Sequence, residues 1–205
     1  GPDRAAWRFA SDFGYGILNY YRMAVVLRTL ENMLGREANL RLYRLYLERW
    51  AYRHPAPGDF RAIVREVGGE AAHDFLVRSI ERGEPPDFAV RRAGSEELSG
   101  RAVLRFDPKR GEVIKRERPK TPKRYRIEVV VENRGDFDLP AGVLCVLENG
   151  TERRFAWDGT GPWKAFEFEA DSPLARAAID PDGMYPCDRD PGNNAVVAKP
   201  RTGGM

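Results

Sequence analysis

Cysteine and histidine are nearly missing from this 205-residue chain, which has only Cys145, Cys187, His54 and His73. Two cysteines cannot build a disulfide-rich scaffold, and no Cys-x-x-Cys pair opens a zinc module. Long apolar runs are missing too. The longest, Met23 to Leu27 and Ala141 to Leu147, fall far short of the ~20 residues that span a bilayer. No charged segment followed by an apolar one opens the chain, so no signal peptide is expected in it. There is no His-Glu-x-x-His, no Gly-x-Ser-x-Gly, no Walker loop and no dinucleotide fingerprint. Self-contained zinc-peptidase, serine-hydrolase and nucleotide chemistry are therefore not expected from these residues alone.

What is present suits a folded, soluble body. Apolar residues make up 42% of the chain, enough to fill the core of one large or two small domains. The leading Gly1-Pro2 is what protease removal of a tag leaves, so the chain is expected to be part of something longer. The net charge of +3 hides an asymmetry. From Arg105 to Arg126 ten Lys and Arg face three acids, a local +7 that leaves −4 for the rest. Such a stretch attracts phosphates or an anionic membrane. Its alternation with Val113, Ile114, Tyr125 and Ile127 also fits the solvated face of a β-hairpin, and nucleic acid is not the expected partner.

The apolar period changes once along the chain. Ile17, Tyr20, Ala24, Leu27, Leu30 and Leu34 recur at steps of three and four, predicting a helix from Gly16 that Gly35 ends. A second helix is expected from Arg36 to Tyr52, with Leu40, Tyr43, Leu47 and Trp50 as its inward stripe and Leu42 and Tyr46 beside it. His54-Pro55-Ala56-Pro57 stops it. A third helix begins near Asp59, buries Phe60, Ile63, Val64 and Val67, and stops at Gly68-Gly69. A fourth covers Ala71 to Arg82, burying Phe75, Leu76 and Ile80.

After Pro85-Pro86 the period is two. Strands are expected at Phe88, at Ala102 to Phe106 and Glu112 to Lys115 as a hairpin, at Arg126 to Val131, Val143 to Leu147, Arg153 to Trp157, Ala165 to Phe168 and Ala175 to Ile179. Asn149-Gly150 is a favoured hairpin turn. The pattern predicts an α+β chain: a short array of about four helices over residues 1–86, an antiparallel Ig- or fibronectin-like β-sandwich over 87–198, and a disordered tail over 199–205.

Candidate ligands are sparse. His54 sits in a turn before proline, and His73 in the first turn of its helix. Cys145 and Cys187 either bridge or remain a strand thiol and a loop thiol. The loop from Asp180 to Asn194 is rich in Asp and Asn. Hard oxygens at short spacing suit Ca²⁺, but the loop lacks EF-hand spacing, and the same residues form ordinary turns.

Two stretches resemble a known family. Asn19-Tyr20-Tyr21-Arg22-Met23 through Leu30-Glu31-Asn32-Met33-Leu34-Gly35 is similar to a signature of zinc aminopeptidases typified by aminopeptidase N: Tyr-x-Lys-Gly, an apolar run, Leu-Glu, two residues, Leu-Gly. His54-Pro55-Ala56-Pro57-Gly58-Asp59-Phe60 is similar to the bacterial members' His-Pro-Thr-Pro-x-Asp-Phe. Trp157-Asp158-Gly159, Ile179-Asp180-Pro181 and Asp188 with Asn193-Asn194 look like their closing β-domain. Arg22 stands for the usual lysine and Met23 for the glycine.

The resemblance implies the C-terminal region of a gluzincin metallopeptidase. It implies a zinc site formed by residues preceding Gly1, so that no cofactor belongs to these residues themselves. It also implies Tyr20 as the tyrosine that stabilises the oxyanion, although period alone makes Tyr20 a core aromatic. The implied partners are the remainder of the catalytic domain and a peptide substrate. Two other readings stand beside it: an interaction module of a pseudo-peptidase, and a polyanion-binding basic β-domain. Localisation is left open, a membrane-associated or extracytoplasmic whole protein included.

Overall fold

The computed structural model describes residues 8, 10–98, 103–109, 111–117, 122–135 and 137–198. The expected tail at 199–205 and the expected strand residue Ala102 lie outside them. The chain is mixed α+β: helices come first and antiparallel sheets follow.

Helix α1 (Asp12–Gly16) starts at Ser11, whose Oγ accepts the Gly14 N–H at 3.1 Å. That satisfies one of the donors a helix start leaves open. A π-helical segment, Ile17–Arg22, carries the helix on into α2 (Met23–Leu34). Gly35, at φ 76°, then turns the chain into α3 (Arg36–Trp50). Helix α4 (Pro57–Val77) opens on proline, with the Asp59 carboxylate accepting the Ala56 N–H at 2.7 Å. Its only non-helical backbone is at Gly69, φ 75°. A second π-helical segment, Arg78–Arg82, follows and ends at Gly83, φ 71°.

Two helical expectations need correction. The stripe of the first helix does not face inward along its length: Ile17 is 40% and Tyr20 66% exposed, while Val26 and Leu30 are buried. The π-helical segment explains this. Its wider i→i+5 bonding changes the angle per residue, so a face counted at 3.6 residues per turn drifts out of register. In α3 the inward face is Asn39 and Leu42, with Tyr46 half-buried. Leu40, Tyr43 and Leu47 point to solvent. Apolar residues cover more than one face of this helix, and packing chose the face that sets Tyr46 edge-on to Phe60 at 5.5 Å. At Gly68-Gly69 the helical run breaks, Gly69 lying outside helical backbone at φ 75° and ψ −171° between two helical stretches. Gly68 has a packing role, because a Cβ on it would lie 2.4 Å from Leu34 Cδ2.

The strands fall close to their expected places. β1 (Phe88–Glu97) is followed by a hairpin of β2 (Val103–Asp107) and β3 (Glu112–Glu117). Then come β4 (Tyr125–Asn133), β5 (Ala141–Leu147), β6 (Glu152–Trp157), β7 (Trp163–Ala170) and β8 (Leu174–Ile179). A short β9 (Ala195–Val197) was not anticipated. One sheet has the order β1-β4-β7 and another β6-β5-β8-β9; the β2–β3 hairpin pairs with no other strand among the described residues.

Alternation along the strands puts one face of each sheet into a common core. Ile127, Val129 and Val131 from β4, Val143, Cys145 and Leu147 from β5, and Ala177 and Ile179 from β8 are all buried. Phe155 of β6 stacks on Phe166 and Phe168 of β7 across the sheets, at 5.1 and 5.3 Å. The helices join the same core. Phe75 meets Phe137 at 5.8 Å, with the Arg78 guanidinium 4.2 Å above the Phe137 ring.

Two turn glycines separate backbone strain from steric clash. Gly150 sits at φ 85° with open space around its Cα, so Gly150→Ala should cost about 1 kcal/mol. Gly159 sits at φ 80° and a Cβ there would fall 2.1 Å from the Leu139 carbonyl oxygen. Gly159→Ala should cost upwards of about 3 kcal/mol. Urea unfolding of the two variants measures the difference, and equal midpoints would contradict it.

Candidate functional site

Tyr20 lies on the π-helical segment between α1 and α2. Its ring meets Tyr15 edge to face at 6.2 Å and is otherwise turned outward. Tyr21, beside it, is 74% exposed. Arg22 is held differently. Its Nη2 donates to the Ser79 carbonyl at 3.2 Å, and the guanidinium lies against Gly83. The segment carrying Tyr20 is thereby tied to the end of the second π-helical run. Isolated π turns inside α-helices are frequent at functional sites because they displace one side chain from the helical face. Phe13, Ile17 and Val25 extend the exposed apolar surface on either side.

The other candidate residues do not join Tyr20. His54 is exposed in its turn. His73 is half-exposed, with Nδ1 3.1 Å from Arg65 Nη2. Cys145 is buried in β5, Cys187 is half-buried in the loop after β8, and both are free thiols. The bridge that the sequence left open is thus not formed. Burial pushes each thiol up to about 11, so neither is a ready thiolate at neutral pH. Among the described residues no three His, Cys, Asp or Glu side chains come together to hold a metal ion.

The Asp-rich loop has other work for its carboxylates. Asp180, at φ 50°, accepts the N–H groups of Met184 and Tyr185 at 2.8 and 2.9 Å. Asp182 pairs with Arg154 at 2.8 Å. Asp190 accepts from Gly192 N and Asn193 Nδ2. Asp188 accepts from Phe88 N, Asp190 N and Asn194 Nδ2. Most of these are local bonds of the kind Asp and Asn make in turns; the Asp188 bond to Phe88 N and the Asp182 pair with Arg154 reach other parts of the chain.

Sequence reasoning missed a seam where the helices meet the sheets, with buried Asp87 and Asp188 and the exposed Arg189. Asp87 is 6% exposed; its Oδ1 has no hydrogen-bond partner among the described residues, and its Oδ2 is 3.5 Å from Arg189 Nη1. Burial pushes the Asp87 carboxyl above the usual range. Asp188 beside it adds to the effect, and Arg189 and Arg134 oppose it. The signal in the sequence is slight: one aspartate after Pro85-Pro86, and its neighbours lie a hundred residues away.

Neither protein-family models nor the curated proteins contain a match to this chain.

The seam makes a prediction about pH. A carboxyl whose folded pKa is raised contributes most below the unfolded value of about 3.9. That contribution is lost as pH rises through the folded value. Asp87→Asn, fixed neutral, should therefore remove a loss of stability that sets in above about pH 4. The variant should gain on the wild type as pH rises to neutrality. Thermal melts across that range measure this; a variant that gains nothing with rising pH contradicts it.

Proposed function

We infer that this chain is the C-terminal region of a zinc-dependent metallo-aminopeptidase of the aminopeptidase N-like, gluzincin kind. In this reading the helices are the end of the catalytic domain. The kink at Gly69 separates the third and fourth members of a four-helix array, and the two larger sheets form an Ig- or fibronectin-like β-sandwich. Contacts of Phe155 with Phe166 and Phe168 support the sandwich. By the resemblance, the zinc ligands would belong to residues preceding Gly1. No step through the metal is assigned to them. What this chain contributes is a neutral hydroxyl, Tyr20 Oη, positioned to donate to the oxyanion that forms when the peptide carbonyl is attacked.

One observation carries this reading: the exposure of Tyr20. A tyrosine serving only as a core aromatic would be buried on the helical stripe, yet Tyr20 is 66% exposed on a π-helical turn. The tether from Arg22 to Ser79 supports a fixed position for that turn. The apolar surface of Phe13, Ile17, Tyr21 and Val25 supports packing against the remainder of a catalytic domain. The same surface also favours a second reading, an interaction module of a pseudo-peptidase, in which Tyr20 is a contact residue.

Tyr20→Phe in the whole protein separates the two. It deletes one hydroxyl and leaves the ring in place. Loss of an oxyanion donor should lower kcat on an aminoacyl-anilide by about a hundredfold or more and leave KM nearly unchanged. Tyr21→Phe should be close to wild type. If neither change moves kcat, the interaction module is the better reading.

A further inference from the structure

A cleft of about 430 Å³ opens where the first helical run and the end of the second π-helical segment meet the loop after β8. Its wall is apolar at Ile17, Val25 and Val26, and polar at Arg22, Ser79 and Cys187. Two of the polar groups are under-used. Arg22 is half-buried and has no carboxylate partner among the described residues. Its hydrogen bond from Nη2 to the Ser79 carbonyl, 3.2 Å, leaves the other guanidinium N–H groups open. Ser79 is 2% exposed, and its Oγ has no hydrogen-bond partner among the described residues. Charges taken out of water are ordinarily paired, and buried hydroxyls ordinarily bonded. The other charges around the cleft are engaged already. Glu84 pairs with Arg78 at 2.9 Å, and Arg189 stands 3.5 Å from Asp87. The Asp188 carboxylate accepts from Phe88 N, Asp190 N and Asn194 Nδ2.

We propose that this cleft binds a small aliphatic carboxylate, its anionic end on the Arg22 guanidinium and its chain along Ile17, Val25 and Val26. The guanidinium without an acid selects an anion, and its planar fork matches a carboxylate. Ser79, whose carbonyl already holds Arg22, brings an unused hydroxyl to the same end. The apolar wall selects among anions. Inorganic phosphate leaves that wall wet, whereas an aliphatic chain dehydrates it. Size bounds the chain, because the cleft lies at the small end of the range for ligand sites. The site is independent of any peptidase activity.

Isothermal titration of the whole chain with N-acetyl-leucine tests this. The probe should bind once per chain, with a Kd of about 1 mM or tighter. N-acetyl-leucinamide keeps the aliphatic chain and lacks the charge, so it should bind about tenfold or more weakly. Acetate and inorganic phosphate lack the chain and should bind more weakly too. Cys187 gives a second readout, since it lines the same cleft while Cys145 is buried in β5. Saturating N-acetyl-leucine should slow iodoacetamide alkylation of Cys187 and leave that of Cys145 unchanged. Arg22→Gln should weaken binding about tenfold or more. Because Arg22 also ties two helical segments together, Val25→Glu is its companion. Val25 is 36% exposed, so the new carboxylate should compete for Arg22 and abolish binding without lowering the melting temperature. Arg28→Gln, at an exposed arginine of the same helix, should bind like the wild type. The proposal is overturned by equal binding of the amide or of phosphate, by an unprotected Cys187, or by undiminished binding in both Arg22→Gln and Val25→Glu. It is overturned as well if N-acetyl-leucine does not bind, which leaves Arg22 to an acidic side chain of another protein segment.

Discussion

Much of this structure hangs on the carboxylate of Asp188. It is buried, and it accepts three hydrogen bonds: from the Phe88 N–H at 3.1 Å, the Asp190 N–H at 2.9 Å and Asn194 Nδ2 at 3.1 Å. Charge-assisted bonds of this kind offset the desolvation of a buried anion only when its lone pairs are satisfied together. Here that requires the first residues of β1 and a loop a hundred residues later to sit side by side. A backbone bond from Arg189 N to the Pro86 carbonyl, 2.9 Å, runs alongside. The clasp fixes where the helical part ends and the sheets begin. It also holds the aromatic cluster of Phe88, Trp157 and Tyr185, in which the Tyr185 hydroxyl donates to the Pro140 carbonyl at 2.6 Å.

From that clasp outward, the helices are seated by a few specific contacts. Asn32 Nδ2 donates to the carbonyls of Gly183 and Met184, linking α2 to the loop after β8. Arg78 reaches over Phe137 and also pairs with Glu84 at 2.9 Å. Arg22 binds Ser79 from the other side. The segment carrying Tyr20 is thus tied to the rest of the chain by anchors that follow it, at Arg22 and Asn32. Nothing buries Tyr20 itself.

The strands were the legible part of the sequence. A period of two admits two faces, and turn residues such as Asn149-Gly150 and Trp157-Asp158-Gly159 set where each strand stops. Little room remained for error in β4 to β8. Helix position was legible too, from Gly35, Pro57 and Gly83. Helix facing was not. The π-helical turn at Ile17–Arg22 changes the count without any sequence mark, and α3 has apolar residues on two faces, between which only tertiary packing decides. The seam of Asp87, Asp188 and Arg189 was illegible for a different reason. Its members are unremarkable singly, and only the closing of the chain over a hundred residues brings them together. The Asp-rich loop shows the reverse: a conspicuous composition whose carboxylates mostly hold the loop's own backbone, with Asp188 and Asp182 also reaching β1 and Arg154.

A conflict between apolar period and burial is itself informative. Sequence can report that a helix face is apolar, but not what covers it. Ile17, Tyr20 and Tyr21 on one helix, and Leu40, Tyr43 and Leu47 on another, keep an apolar spacing and yet face solvent. Leaving such side chains in water forgoes the free energy that burial would return, ~1.5–3 kcal/mol for a fully buried large one. Locally consistent sequences depart from that economy mainly at sites with another use. The first stripe contains Tyr20, which the family resemblance singles out. The second stripe has no such residue. In each case the departure arises where the pattern predicts burial and packing withholds it, so it is found only by setting the period against the coordinates.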